Sequence, residues 1–215
     1  WDIYYELRNK EKLGSPVIGV LDTMFYDDHE DLRGILKSDT SYLCESSHGT
    51  HVAGIIGARY RKGNRGVFPD AKIIGKSINT KLILPIYKFS LNNNRISKSP
   101  LISNIQLNYK LYDLLNNHNK IVINCSFGYN DIVQKYLKSN NTVFHRRISK
   151  ERTARNSILL NAIRNNKDFL IVQSSGNFSH TKKFDDKYMD SFYSSHFVSM
   201  DPELSKRIIT VGALK

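Results

Sequence analysis

Val17-Ile18-Gly19-Val20-Leu21-Asp22-Thr23 and Ser47-His48-Gly49-Thr50-His51-Val52-Ala53-Gly54 decide how this chain reads. The first is a short, apolar, β-branched run ending in a carboxylate, the pattern of a buried strand with Asp22 at its carboxyl end. The second opens on His48 and continues in small residues to Gly57 and Ala58, the pattern of a helix able to pack close to a sheet. An acid held beside an imidazole makes up two of the three parts of a device that activates a nucleophile. Taken alone, a histidine near a helix start is more often a capping or surface residue than a catalytic one.

Further short apolar runs lie at Lys72–Ile78, Lys120–Cys125, Phe169–Gln173 and Arg207–Val211, with a weaker one at Ile35–Ser38. They alternate with helical patterns at His51–Ala58, Ile102–Asn116 and Glu151–Asn165. Leu111, Leu114 and Leu115 in one helix, and Ile158, Leu159, Ala162 and Ile163 in another, follow a 3.6-residue period. This alternation predicts a three-layer α/β fold, a mostly parallel sheet with helices on both faces. Such sheets bind ligands beyond the carboxyl ends of their strands. Asp22, Ser126 and Asn177 each follow a predicted strand, which places all three on one rim. Lys81–Leu101, Tyr129–Arg147 and Phe184–Pro202 lack a clear period and read as long loops.

The 215 residues suit one sizeable domain, since a chain of this length buries roughly 70% of its unfolded surface. A mean hydropathy of −0.42 describes a soluble globular chain. No run approaches the roughly 20 apolar residues of a membrane-spanning helix. Residue 1 is Trp1 and not Met, so the lack of a leader leaves the compartment open. The net charge of +12 would attract nucleic acid or other anions. The cations are scattered, however, with only short clusters such as Arg59-Tyr60-Arg61-Lys62, and no nucleic-acid-binding signature accompanies them. Nucleic acid is therefore not expected as the primary partner.

Cys125 falls inside a strand pattern as a small hydrophobe, and Cys44 lies four residues before His48. Two cysteines do not make a disulfide framework. Cys44, His48 and His51 are plausible zinc donors, but their spacing is uncommon and no fourth ligand stands out. Asp27-Asp28-His29-Glu30-Asp31 could hold a hard cation, although a solvated turn is the commoner explanation. Neither metal nor cofactor is expected. Asn124 reads as a strand-end residue whose amide satisfies backbone groups.

These motifs carry a resemblance. Val17–Leu32, with Leu21-Asp22-Thr23 and then His29-Glu30-Asp31-Leu32, resembles the aspartate motif of the subtilisin-like serine peptidases, the subtilases. Ser47–Gly54 resembles their histidine motif almost letter for letter. In the same order, Gly66-Val67-Phe68-Pro69-Asp70-Ala71 resembles the turn before a core strand, and Ile123-Asn124-Cys125-Ser126-Phe127-Gly128 the strand lining the substrate cleft. Ser174-Ser175-Gly176-Asn177 resembles the oxyanion-hole motif, and Ile208-Ile209-Thr210-Val211-Gly212-Ala213 a later core strand.

The resemblance implies a subtilisin-like serine endopeptidase acting on peptide or protein substrates, for which a propeptide is one conceivable partner. Asp22 would orient His48, His48 would take the proton of a serine hydroxyl, and Asn177 would donate to the oxyanion. Substrate would lie extended along Ser126, Phe127 and Gly128, with its pocket closed by Ser174, Ser175 and Gly176. None of these walls is acidic, so no preference for Lys or Arg is expected from them. Asp31 matches a calcium ligand of some relatives, but the companion loop at Arg61–Arg65 is basic.

One part of the family pattern is missing. The nucleophile lies in a Gly-Thr-Ser string opening a late helix, and here Gly49-Thr50 is followed by His51 instead. The sequence stops at Lys215, after the strand that precedes the nucleophile in the family. The expectation is a single catalytic domain that is incomplete, with the serine outside these residues and the segment alone inactive. The alternative is a non-catalytic relative that keeps the cleft for binding peptides.

Overall fold

In a computed structural model, residues 6, 14–39, 47–59, 65–78, 99–127, 142–175 and 201–212 are described. They build β1 (Val17–Asp22), β2 (Leu36–Ser38), α1 (His48–Gly57), β3 (Lys72–Ser77), α2 (Ser99–Asn117), β4 (Lys120–Cys125), α3 (Thr142–Arg164), β5 (Asp168–Ser174), α4 (Pro202–Ser205) and β6 (Ile208–Val211). The strands form one six-stranded sheet in the order β2-β3-β1-β4-β5-β6, and every pairing is parallel. The sheet is the α/β architecture expected from the sequence.

Two apolar cores flank the sheet because successive strand residues face opposite sides. Leu21, Ile121, Ile123, Phe169 and Ile171 pack against Leu107, Leu111, Leu114 and Leu115 of α2 and Leu159 and Ala162 of α3. On the other face, Val20 and Ile73 pack against Val52 and Ala53 of α1 and against Phe25, Leu32 and Ile35 of the β1–β2 connection. The leucine spacing seen in the sequence is thus the seam by which α2 grips the sheet.

The topology has one irregular step. The connections β2–α1–β3, β3–α2–β4 and β4–α3–β5 all move across the sheet in the same sense, yet α1 lies on the face opposite α2 and α3. The α1 crossover therefore has the opposite hand from the other two. Right-handed crossovers make up about 98% of such units, which marks α1 as the exception. The consequence is positional: the chain leaves β1 toward β3 and β2 and leaves β4 toward β5, so the crevice between β1 and β4 is a topological switch point. α1 begins beside it.

The helices are longer than their periodic signals. α2 starts at Ser99 within the expected loop, with Pro100 in the first turn, where a missing N–H costs nothing. α3 starts at Thr142 inside the segment read as aperiodic, because Thr142–Lys150 is mostly polar and basic and carries few apolar markers. The short α4 begins at Pro202, the last residue of the expected loop, and runs through residues for which the sequence gives no periodic signal. Its start is nevertheless encoded: Asp201 accepts hydrogen bonds from the amides of Glu203 and Leu204, and Pro202 follows it. Among the described residues no helix is long and apolar enough to cross a membrane.

Leu111 is fully buried in the α2 seam, whereas Tyr109 on the same helix is exposed. Leu111→Ala is expected to lower the unfolding free energy by about 2–5 kcal/mol. Tyr109→Ala should stay within about 0.5 kcal/mol. Urea denaturation of the three proteins checks both.

Candidate active site

Asp22 is the last residue of β1, buried, with its side chain on the α1 face. The following residue supplies two donors to one oxygen: the Thr23 amide reaches Asp22 Oδ1 at 2.7 Å and the Thr23 hydroxyl reaches it at 3.2 Å. His48, the first residue of α1, places Nδ1 2.8 Å from Oδ1 and 3.0 Å from Oδ2. The carboxylate thereby assigns the proton to Nδ1 and leaves Nε2 as the basic nitrogen. The carboxylate is withdrawn from water, with 2% side-chain exposure, while the imidazole is 50% exposed. A sheltered acid thus orients a base that substrate can reach.

The start of α1 is held by the backbone around it. The side chain of Ser47 makes no capping bond. Instead the Thr50 amide donates to Met24 O at 3.2 Å, and the Tyr26 amide donates to the Thr50 hydroxyl at 3.0 Å. Gly49 allows this approach: a Cβ there would stand 2.7 Å from Met24 O and 3.1 Å from the Phe25 ring. A backbone carbonyl oxygen cannot retreat as the far end of a flexible side chain would. Thr23, Met24 and Thr50 are the functional neighbours missed in the sequence; Thr23 sat in plain view beside Asp22, without a reason to assign it a role.

Register brings the remaining described positions to the same level. Val20 pairs with Asn124, and Asn124 with Val172, and Asp22, Ser126 and Ser174 each follow two residues after that paired level on β1, β4 and β5. Residues 126–127 follow β4 directly, and Ser174 ends β5, still paired with Val211 of β6. Ser126 and Phe127 are half-buried, with Phe127 packed on the α2–α3 core. Asn124 Nδ2 donates to Ser126 Oγ at 2.8 Å, so its amide serves a neighbouring hydroxyl in place of the backbone partner expected. The Ser175 amide donates to Val211 O at 2.8 Å. Gly128, Gly176 and Asn177 lie outside the described residues, as does Cys44.

Cys125 is a free thiol at the end of β4, fully buried, and burial pushes its pKa far up. In the acidic turn, Asp27 accepts from the Ser38 hydroxyl and the Asp31 amide donates to His29 Nδ1 at 3.3 Å. Among the described residues no three His, Cys, Asp or Glu side chains stand together as a metal site. Residues 60–64, which include most of the companion loop to Asp31, are outside the described set.

The model of a family described as the subtilase family matches residues 14–215. No curated protein matches the sequence. Among solved structures, the prenylagaramide maturation protease PagA is 19% identical with a TM-score of 0.50, over 80% of this chain and 50% of that one. The epidermin leader peptide processing serine protease of Staphylococcus aureus is 16% identical with a TM-score of 0.48, over 77% and 38%. The nisin leader peptidase of Lactococcus lactis is 19% identical with a TM-score of 0.44, over 79% and 47%. This chain therefore spans half or less of the length of these structures.

Two outcomes test the geometry. Gly49→Ala is expected to destabilise the fold by about 1–3 kcal/mol and to abolish the downfield Nδ1–H proton resonance of His48. A thiol reagent should leave Cys125 unmodified in the native protein and modify it in denaturant, as read by mass spectrometry of its peptide.

Proposed function

The chain belongs to the subtilase family, and from that premise we propose that it is the greater part of one catalytic domain of a serine endopeptidase using an Asp-His-Ser triad. The observation that carries this reading is the Asp22–His48 pair, bonded at 2.8 and 3.0 Å beside the switch point of a parallel sheet. Its chemistry is directional. His48 Nε2 takes the proton of a serine hydroxyl as that oxygen attacks the substrate carbonyl, and then returns it to the leaving amine. Asp22 keeps the imidazole in the right tautomer and stabilises its charged form. The side-chain amide of Asn177 donates to the oxyanion.

The serine comes from a Gly-Thr-Ser string carried on sequence other than these 215 residues, at the head of a helix. The sheet offers such a helix a seat. On the α1 face Val122, Leu170 and Val172 are half-buried, and Ile209 and Val211 are exposed at 46% and 52% among the described residues. Packing there would lay a second helix beside α1, with its head at the rim where His48 begins.

Substrate lies as an extended strand along 126–128 and exchanges main-chain hydrogen bonds, a mode that tolerates many side chains. Ser126, Phe127, Ser174 and Ser175 bring no carboxylate to the pocket before the cut, which argues against selection of Lys or Arg by these walls.

A fluorophosphonate probe should leave the 215-residue chain unlabelled and label a longer natural form at a single serine. In that form His48→Ala should lower kcat by on the order of 10⁴-fold or more. Asn177→Ala should lower it by about 10²–10³-fold, a magnitude taken from the oxyanion donor of another member of this family. A longer form that resists the probe but binds peptides through the cleft would establish the non-catalytic alternative instead.

A further inference from the structure

Ser77 closes β3 in register with Asp22, and both side chains face α1 and are buried. The two residues have complementary deficits. Among the described residues the buried Ser77 hydroxyl has no hydrogen-bond partner, although the Ser77 amide is satisfied by Asp39 Oδ1 at 2.8 Å. Across the ladder the Asp22 carboxylate is served unequally. Its Oδ1 takes the Thr23 amide, the Thr23 hydroxyl and His48 Nδ1, while among the described residues Oδ2 meets only His48, at 3.0 Å. An idle donor and an under-served buried acceptor therefore stand on neighbouring strands at the same level. Neighbouring strands run about 4.8 Å apart. A serine hydroxyl moves between staggered positions by rotation about one bond.

We propose that Ser77 Oγ donates to Asp22 Oδ2 and is a positioning residue of the Asp22–His48 pair. As a statement about catalysis this rests on the peptidase reading above; as a hydrogen bond it rests on the row of residues alone. The bond ties the carboxylate on the side that Thr23 leaves open, so that the plane of Asp22 stays turned toward Nδ1. It also draws charge from Oδ2, which sets how strongly the carboxylate polarises the imidazole. The charged and titratable groups around this row are Asp39, which binds the Ser77 amide and pairs with Lys76 and Lys110, and the Cys125 thiol, which burial keeps neutral. His51 on α1 is exposed.

Proton NMR of the 215-residue chain tests the bond. The Ser77 hydroxyl proton should exchange on the order of tenfold to a hundredfold more slowly than an unbonded one, the protection given by a hydrogen bond to a charged acceptor. That protection should vanish in Asp22→Ala. In Ser77→Ala the carboxylate loses a competing donor, so the His48 Nδ1–H resonance should move downfield, a change that loss of packing alone does not produce. A Nδ1–H resonance that stays in place in folded Ser77→Ala, or hydroxyl protection that survives Asp22→Ala, overturns the assignment. Should Ser77→Ala fail to fold, hydroxyl exchange in the wild type and Asp22→Ala decides by itself. None of these readouts needs a nucleophile, so a longer form without peptidase activity would remove the functional reading and leave this bond standing.

Discussion

A carboxylate buried at the end of a parallel strand is the constraint around which the described structure is organised. An isolated buried charge costs several kcal/mol even after relaxation, so Asp22 is tolerable only with donors fixed around it. Thr23 provides two from the adjacent backbone and side chain, and His48 provides the third. The strand has to stop where it does for this to work. One residue earlier the side chain would face the α2–α3 core, and one later the amide of Thr23 would belong to the ladder.

Delivering the histidine demands more of the fold than delivering the acid. Asp22 faces the side of the sheet away from α2 and α3, so only a helix on that side can bring a base to it. With the strand order found here, such a helix must cross from β2 to β3 with the hand opposite to its neighbours. The rare crossover is therefore a structural condition of the site, not a by-product. Small residues make it affordable: Gly57 lies against Ile73, where a Cβ would come within 2.9 Å of its Cδ1, and Gly49 lies against Met24 O. The tether from Thr50 and Tyr26 then fixes the helix lengthwise, which apolar contact alone would leave free to slide.

Sequence patterns revealed what repeats and obscured what depends on particular neighbours. The strands announced themselves because a two-sided parallel sheet makes them nearly all apolar, and α2 did so through its leucines. The opening turns of α2 and α3 were hidden because polar and basic residues there carry no period. Asp22 and His48 could be read because adjacent motif letters specify them. The Thr23–Asp22 and Asn124–Ser126 bonds are local but follow from how the backbone turns at a strand end, which residue type alone does not specify, while the Asp22–Ser77 row depends on register between strands far apart in the chain, and no local pattern encodes it. The crossover hand was equally invisible, since it follows from strand order and not from any residue.

The pair is also held by the sheet and α1, which bears on mechanism. Among the described residues the Thr23 and His48 donors to Asp22, and the amide hydrogen bonds that tie Thr50 to Met24 and Tyr26, come from the end of β1, the segment after it and α1, and the proposed Ser77 donor comes from β3 of the same sheet. The Asp22–Nδ1 bond orients the imidazole from within the described residues. The orientation is set when the sheet folds, so it need not be won again from substrate binding, and the free energy of binding can act on the reacting carbonyl instead. A hydroxyl brought to His48 would meet a base already in the correct tautomer. The ordering cost would fall on the hydroxyl alone, and a seat beside α1 on an apolar sheet face is the kind of contact that can meet it.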